Sequence, residues 1–245
     1  MGNNMAKSIR PFAVFDIDGT LIRWQLYHAI ADSLVRLGYI KPERFQAIKD
    51  ARLAWKRRES SDSFRQYEME LVKLYVNILS EITVSQFDEA AEAVFDEYKD
   101  QVYTYTRNLV KDLKNKGYLI FAISGSQTEI IAKIARYYGF DDFVGREDER
   151  AGEKFSGKST TPIFNKDAAL KKFVDKHEAT YDGSIGVGDS HSDIKMLELT
   201  EQPIAFNPER ALFDHAQAKS WKIVIERKNM VYELEAGDGN TYLLA

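Results

Sequence analysis

The chain has 245 residues, 44% hydrophobic and 29% charged, with a formal net charge of −4. That balance suits a soluble globular protein and gives no bulk attraction to nucleic acid or to an anionic membrane. The absence of cysteine excludes disulfides, thiolate metal sites and a cysteine nucleophile.

At the N-terminus, MGNNMAKSIRPFAVF has no apolar leader segment, and Ala6 breaks the myristoylation pattern begun by Met1-Gly2. With no apolar run of the roughly 18 residues that span a bilayer, a cytoplasmic protein is expected. Residues 12–15 read as a first strand that ends abruptly on Asp16, with Asp18, Gly19 and Thr20 close behind. Four helices follow, over 24–37, 42–58, 62–79 and 85–105, punctuated by Gly38, Lys41-Pro42 and Ser60-Ser61-Asp62. This interval far exceeds the roughly 10–15 residues of a crossover helix. The expected organisation is therefore a core of residues 1–22 and 107–245 with a helical cap domain, 23–106, inserted into it.

The core resumes with a helix at 108–116 closed by Gly117, a strand at 118–123 and a helix at 127–138 closed by Gly139. A charged, glycine-containing stretch, 147–162, suggests a short hairpin. Next come a helix at 166–176, a strand at 184–187, a helix at 192–199, a strand at 203–206, a helix at 208–218 opened by Pro208, and a strand at 221–225. Residues 226–245 carry no readable pattern. Apolar strands alternating with helices predict an α/β fold, a Rossmann-like open parallel sheet with helices on both faces.

Ligands of such sheets bind at the carboxyl ends of the strands. There the sequence puts Asp16 and Asp18 after strand one, Ser124-Gly125-Ser126 after strand two, and Gly188-Asp189-Ser190 with Asp193 after the strand at 184–187. Lys166 opens the helix before that last strand. Several carboxylates in one crevice call for a compensating cation, and an all-oxygen site shared with water and phosphate suits Mg²⁺. A Ser-Gly-Ser turn opening a helix offers N–H groups to an anion, with Lys166 as a further positive charge. Together these parts describe a phosphoryl-transfer site.

Phe15-Asp16-Ile17-Asp18-Gly19-Thr20 resembles the DxDGT motif of the haloacid dehalogenase superfamily. Ile123-Ser124-Gly125-Ser126 resembles its second motif, Lys166 its third, and Gly188-Asp189-Ser190-His191-Ser192-Asp193 its fourth. The helical insertion is similar to that of the phosphoserine-phosphatase-like branch. The resemblance implies a Mg²⁺-dependent phosphomonoesterase acting on a small phosphorylated metabolite through an aspartyl-phosphate. It makes Asp16 the nucleophile and a metal ligand. Asp18 becomes the general acid–base, with its carbonyl on the metal. Ser124, Gly125 and Lys166 become phosphate-binding groups, Ser192 a supporting one, Asp189 a direct metal ligand, and Asp193 a residue that orients metal waters or Lys166. A phosphotransferase or phosphomutase with the same nucleophile, phosphoserine phosphatase proper and a non-catalytic regulatory protein are the alternatives.

Substrate choice points to Arg23-Trp24-Gln25-Leu26-Tyr27-His28. Phosphoserine phosphatases carry a glutamate about nine positions after the nucleophile, where this chain has Gln25, and a neutral amide cannot pair with an ammonium group. Arg44, Lys49, Arg52, Lys56, Arg57, Arg58 and Arg65 outnumber Asp50, Glu59 and Asp62 in the same region. Arg52 is the candidate there for a substrate anion, against the ordinary use of such a run as a solvated helix face. Trp24, Tyr27 and Trp55 are expected to pack the insertion, with stacking on a substrate ring as the alternative, and His191 is expected to face solvent.

Overall fold

The computed structural model describes residues 9–60, 63–237 and 242–244. The leader reading of residues 1–8, the Ser61-Asp62 break and the Arg65 side chain lie outside them. One nine-stranded sheet organises the molecule, in the order β4-β3-β2-β1-β5-β6-β7-β8-β9. β1 (Pro11–Phe15) lies between β2 (Leu119–Gln127) and β5 (Thr180–Gly188), parallel to both. β3 (Asp142–Ala151), β6 (Gln202–Phe206) and β7 (Lys222–Arg227) extend the parallel sheet outward.

Alternation along β1 explains the two covered faces. Phe12 and Val14 join Phe121, Ile123 and residues of α7 (Lys166–His177), α8 (Ile194–Leu197) and α9 (Arg210–Ala218) on one side. Ala13 and Phe15 join Ile120, Val187 and the Val110 and Leu113 side chains of α5 (Thr104–Asn115) on the other. The α/β fold with helices on both faces is as the sequence implied.

The segment between β1 and β2 carries α1 (Leu26–Arg36), α2 (Gln46–Lys56), α3 (Ser63–Leu79) and α4 (Val84–Tyr98). Its two connectors are stitched together: Arg23 N donates to Gln101 O at 2.8 Å and Tyr103 N to Leu21 O at 3.0 Å. This pairing breaks the helix expected over 85–105, because the chain around Gln101 must leave helical geometry to meet residues 21–23. α5 accordingly starts at Thr104 rather than at 108. One apolar cluster runs from α1, α3 and α4 into Ala122 of β2 and Ile130, Ile131 and Ile134 of α6 (Thr128–Tyr138).

Two parts of the sheet lay outside the sequence expectations. β3 begins at Asp142 as a parallel partner of β2, then continues into an antiparallel hairpin with β4 (Lys154–Thr160). The hairpin expected over 147–162 is thus the outer half of a longer core strand. After β7 the chain turns into an antiparallel ribbon of β8 (Met230–Ala236) and β9 (Tyr242–Leu244), where no pattern was legible.

Candidate active site

The carboxyl ends of β1, β2 and β5 meet the N-terminus of α7, and four of the predicted residues converge there. Lys166 Nζ donates to Asp16 Oδ1 and to Asp193 Oδ1, both at 2.6 Å. Lys166 is only 3% exposed and Asp193 fully buried. Asp193 Oδ2 accepts from Asp189 N at 3.1 Å and Ser190 N at 3.0 Å, so this acid holds both the lysine and the loop after β5. Carboxylate oxygens of Asp16, Asp189 and Asp193 lie within 4.8 Å of one another.

Asp18 has a separate environment. Its Oδ1 accepts from Leu26 N at 2.5 Å and its Oδ2 from Ser124 Oγ at 2.6 Å. Ser124 Oγ in turn accepts from Ser126 N at 2.9 Å, and Tyr27 N donates to Ser126 Oγ at 3.0 Å. The first-turn amides of α1 are therefore satisfied by the acid after β1 and a hydroxyl after β2, in place of a side-chain N-cap of their own. Sequence reading missed the Leu26 amide and the Ser126 hydroxyl. Ser126 stood inside the second motif, but nothing local signals that a distant helix would use it.

Gly19 is required by position. Its φ is +80°, and a Cβ there would fall 2.1 Å from Asp189 Oδ2 and 3.4 Å from Gln25 Nε2. Gln25 Nε2 thus lies against Gly19, near Asp189. Gly125 lies under Ile163, whose Cδ1 would be 2.9 Å from an added Cβ. Ser192 Oγ bonds Ser190 Oγ at 2.8 Å, within the loop after β5. His191 is exposed as expected, its ring bonded to Glu209.

Arg52 does not join these residues. Its guanidinium makes two bonds to Asp32, at 2.9 and 3.0 Å, and one to Tyr67 Oη at 2.9 Å. It also stacks over Phe45 and Tyr67. Arg52 is neither a solvated surface charge nor part of the carboxylate cluster; it ties α2 to α1 and α3.

The electrostatics are those of a site short of positive charge. Burial raises Asp16 to about 7, against the opposing pull of Lys166, with Asp193 and Asp18 adding to the rise. Burial also raises Asp18, opposed by the bonds from Ser124 and Leu26, and lifts Asp189 well above the carboxylate range. Lys166 loses some basicity to burial, but Asp16 and Asp193 outweigh that and hold it charged. One ammonium cannot compensate four clustered carboxyl groups. The oxygen-only donors of Asp16 and Asp189, with the glycine that lets Asp189 approach, fit a small hard cation such as Mg²⁺.

A family model for haloacid dehalogenase-like hydrolases matches residues 13–198. The chain belongs to this family. Among curated relatives, a putative hydrolase of Mycobacterium leprae is 25% identical over 145 residues, 58% of this chain and 48% of that protein. The chain spans about half the length of the first such relatives it matches. A histidinol-phosphatase of Neisseria meningitidis is 22% identical over 88% of this chain and 99% of its own. Among solved structures, a Bordetella pertussis protein of unknown function has a TM-score of 0.71 at 21% identity, covering 89% of this chain and 99% of that one. A phospho-aspartyl intermediate analogue of phosphoserine phosphatase has a TM-score of 0.60 at 19% identity, covering 90% and 95%. At these identities the structural matches speak for the fold. No helix among the described residues is long and apolar enough to cross a membrane.

Proposed function

We propose that the chain is a Mg²⁺-dependent phosphomonoesterase that acts on a small phosphorylated metabolite through a phosphorylated Asp16. The observation that carries this reading is the segregation of two carboxylates on one loop. Asp16 is paired with Lys166, whereas Asp18 is held by the Leu26 amide and the Ser124 hydroxyl. Two acids in different surroundings suit two different tasks. Phosphatases among the similar proteins, including the histidinol-phosphatase and several phosphoserine phosphatases, support the same chemistry.

Mg²⁺ held by Asp16, Asp189 and the Asp18 carbonyl would offset negative charge on the nucleophile and the phosphate. Lys166 fixes Asp16 through Oδ1 and leaves Oδ2 for attack on phosphorus. As that P–O bond forms, the ester bond to the leaving alcohol breaks and the protonated Asp18 carboxyl gives the alcohol oxygen its proton. Asp18 then takes a proton from water as the water attacks phosphorus, which releases phosphate and restores Asp16. Ser124, the Gly125 amide and Lys166 receive the phosphoryl oxygens. Asp193 positions Lys166, and Ser192 braces the same loop. The α1–α4 insertion acts as the cap domain that covers the reaction.

The test is release of phosphate from p-nitrophenyl phosphate with and without Mg²⁺. Metal-dependent release by wild type and its loss in Asp16→Asn are expected. No release by wild type, or full activity in Asp16→Asn, would overturn the reading. Recovery of phosphorylated acceptor instead of free phosphate would move the chain to the phosphotransferases.

A further inference from the structure

Beside the second motif lies a polar cluster that the chemistry above does not use. Tyr27 of α1, Tyr75 of α3, Gln127 at the end of β2, and the Arg146–Asp148 pair of β3 converge there. The Tyr27 and Tyr75 ring centroids are 4.7 Å apart, and the Arg146 guanidinium lies 5.6 Å from the Tyr75 ring centre. Tyr75 Oη donates to Asp148 Oδ2 at 3.1 Å. Gln127 and Arg146 are register partners across β2 and β3. The cluster adjoins the reacting groups through neighbouring amides on α1, Leu26 on Asp18 and Tyr27 on Ser126.

Its hydrogen bonding is incomplete. Tyr27 Oη is buried without a partner among the described residues. Gln127 is fully buried, and the adjoining Tyr75 hydroxyl can engage only one of its two amide atoms. Buried polar atoms are paired in the great majority of cases, and one left unpaired destabilises the fold. Two such side chains from two elements at one place, Tyr27 and Gln127, are a standing cost to the fold, which a ligand would remove.

The charges define what that ligand is. Arg146 Nε and Nη2 are turned onto Asp148 Oδ1 at 3.1 and 2.8 Å, so the two form a neutral pair. The other groups offer hydroxyl and amide dipoles against an aromatic wall. Gln25 supplies no carboxylate for an ammonium group. Resting on the phosphomonoesterase reading, we propose that this cluster is the subsite for the alcohol part of the substrate. It selects an uncharged, hydroxyl-bearing group, as in the monophosphate of a polyol or sugar, over an amino-acid phosphate.

The test assays the full chain with Mg²⁺ on p-nitrophenyl phosphate, O-phosphoserine, glycerol 3-phosphate, sorbitol 6-phosphate and glucose 6-phosphate. Tyr27→Phe and Gln127→Leu are compared with wild type. Wild type is expected to prefer the best polyol or sugar phosphate over phosphoserine. In each variant, the ratio of kcat/KM on that substrate to kcat/KM on p-nitrophenyl phosphate should fall roughly tenfold, the loss of about one good hydrogen bond. In Tyr27→Phe the Tm should hold or rise, because an unpaired buried atom has been removed. Preference for phosphoserine, an unchanged ratio, or a lowered Tm with an unchanged ratio would overturn the inference. Wild type inert on p-nitrophenyl phosphate would instead remove the phosphomonoesterase reading, and this one with it.

Discussion

At the scale of single residues, the tightest constraint in the site is the absence of a side chain at Gly19. An alanine there would have to keep a φ of +80° and place its Cβ 2.1 Å from Asp189 Oδ2. The carboxylate would have to withdraw. Gly19→Ala should therefore raise the Mg²⁺ concentration for half-maximal activity by roughly 10-fold or more, the usual cost of disturbing a group that orients a metal ligand. Mg²⁺ titration of p-nitrophenyl phosphate hydrolysis reads this directly, and an unchanged midpoint would show that Asp189 does not bind the metal. Residues of this kind were legible in the sequence because their chemistry admits few substitutes: paired acids, a glycine and a lysine at fixed strand ends. Gln127 and Arg146 were not legible, and Tyr27 was legible only as one of several aromatics expected to pack the insertion. Each looks like ordinary helix or strand packing until the fold brings three distant segments together. Arg52 shows the converse: its sequence neighbours suggested an anion site, but Asp32 on α1, the preceding α-helix, claims it.

At the scale of elements, the parts that escaped the sequence are those whose strands lack a continuous apolar run. β3 opens on Asp142-Phe143-Val144 and passes at once into charged residues. β8 alternates Tyr232 and Leu234 with Glu233 and Glu235 near the edge of the sheet. The preceding strand nevertheless carries a long-range duty. Glu226, on β7, is 8% exposed and accepts from Thr104 N at 2.9 Å and Tyr105 N at 2.8 Å, so it caps α5 from a strand far along the chain. Glu226→Ala should cost about 2 kcal/mol and lower the Tm by roughly 5 °C, with little change in kcat/KM. A thermal melt at neutral pH checks it; an unchanged Tm would mean that water satisfies those amides equally well.

The α1–α4 insertion makes its own prediction through His28, 3% exposed on α1 with the Tyr67 ring 4.6 Å away. Burial, and then the Arg52 charge, lower its pKa to about 3. The unfolded chain takes up this proton near 6.5 and the folded one does not, so the stability from neutral His28 is complete above 6.5. It is lost as pH falls from there toward 3. Between pH 7 and pH 5 the loss is about 2 kcal/mol. Urea midpoints at the two pH values should fall more in wild type than in His28→Leu. Equal losses would show that other groups carry the acid sensitivity.

For the whole molecule, the proposed Mg²⁺ site in the carboxylate cluster would couple ion binding to stability. It joins the ends of β1 and β5, the start of α7 and, through Asp18, the first turn of α1. Without a cation, Asp16 is raised from 3.8 to about 7. Its protonated form stabilises the metal-free fold most fully below pH 3.8, and that contribution fades as pH rises through 7. Mg²⁺ needs the deprotonated carboxylate and competes with the same proton. The stabilisation it confers should therefore be larger at pH 8 than at pH 6. At about 100 times the dissociation constant, it should add about 2.7 kcal/mol. Asp189→Asn removes a negative charge from the proposed ligands and should cut the Mg²⁺-induced rise in Tm, and EDTA should reverse the rise in wild type. A Mg²⁺ effect that is the same at both pH values, or that persists undiminished in Asp189→Asn, would place the ion elsewhere on the protein. Catalysis and fold would then be separable, whereas the geometry of the cluster joins them in one set of carboxylates.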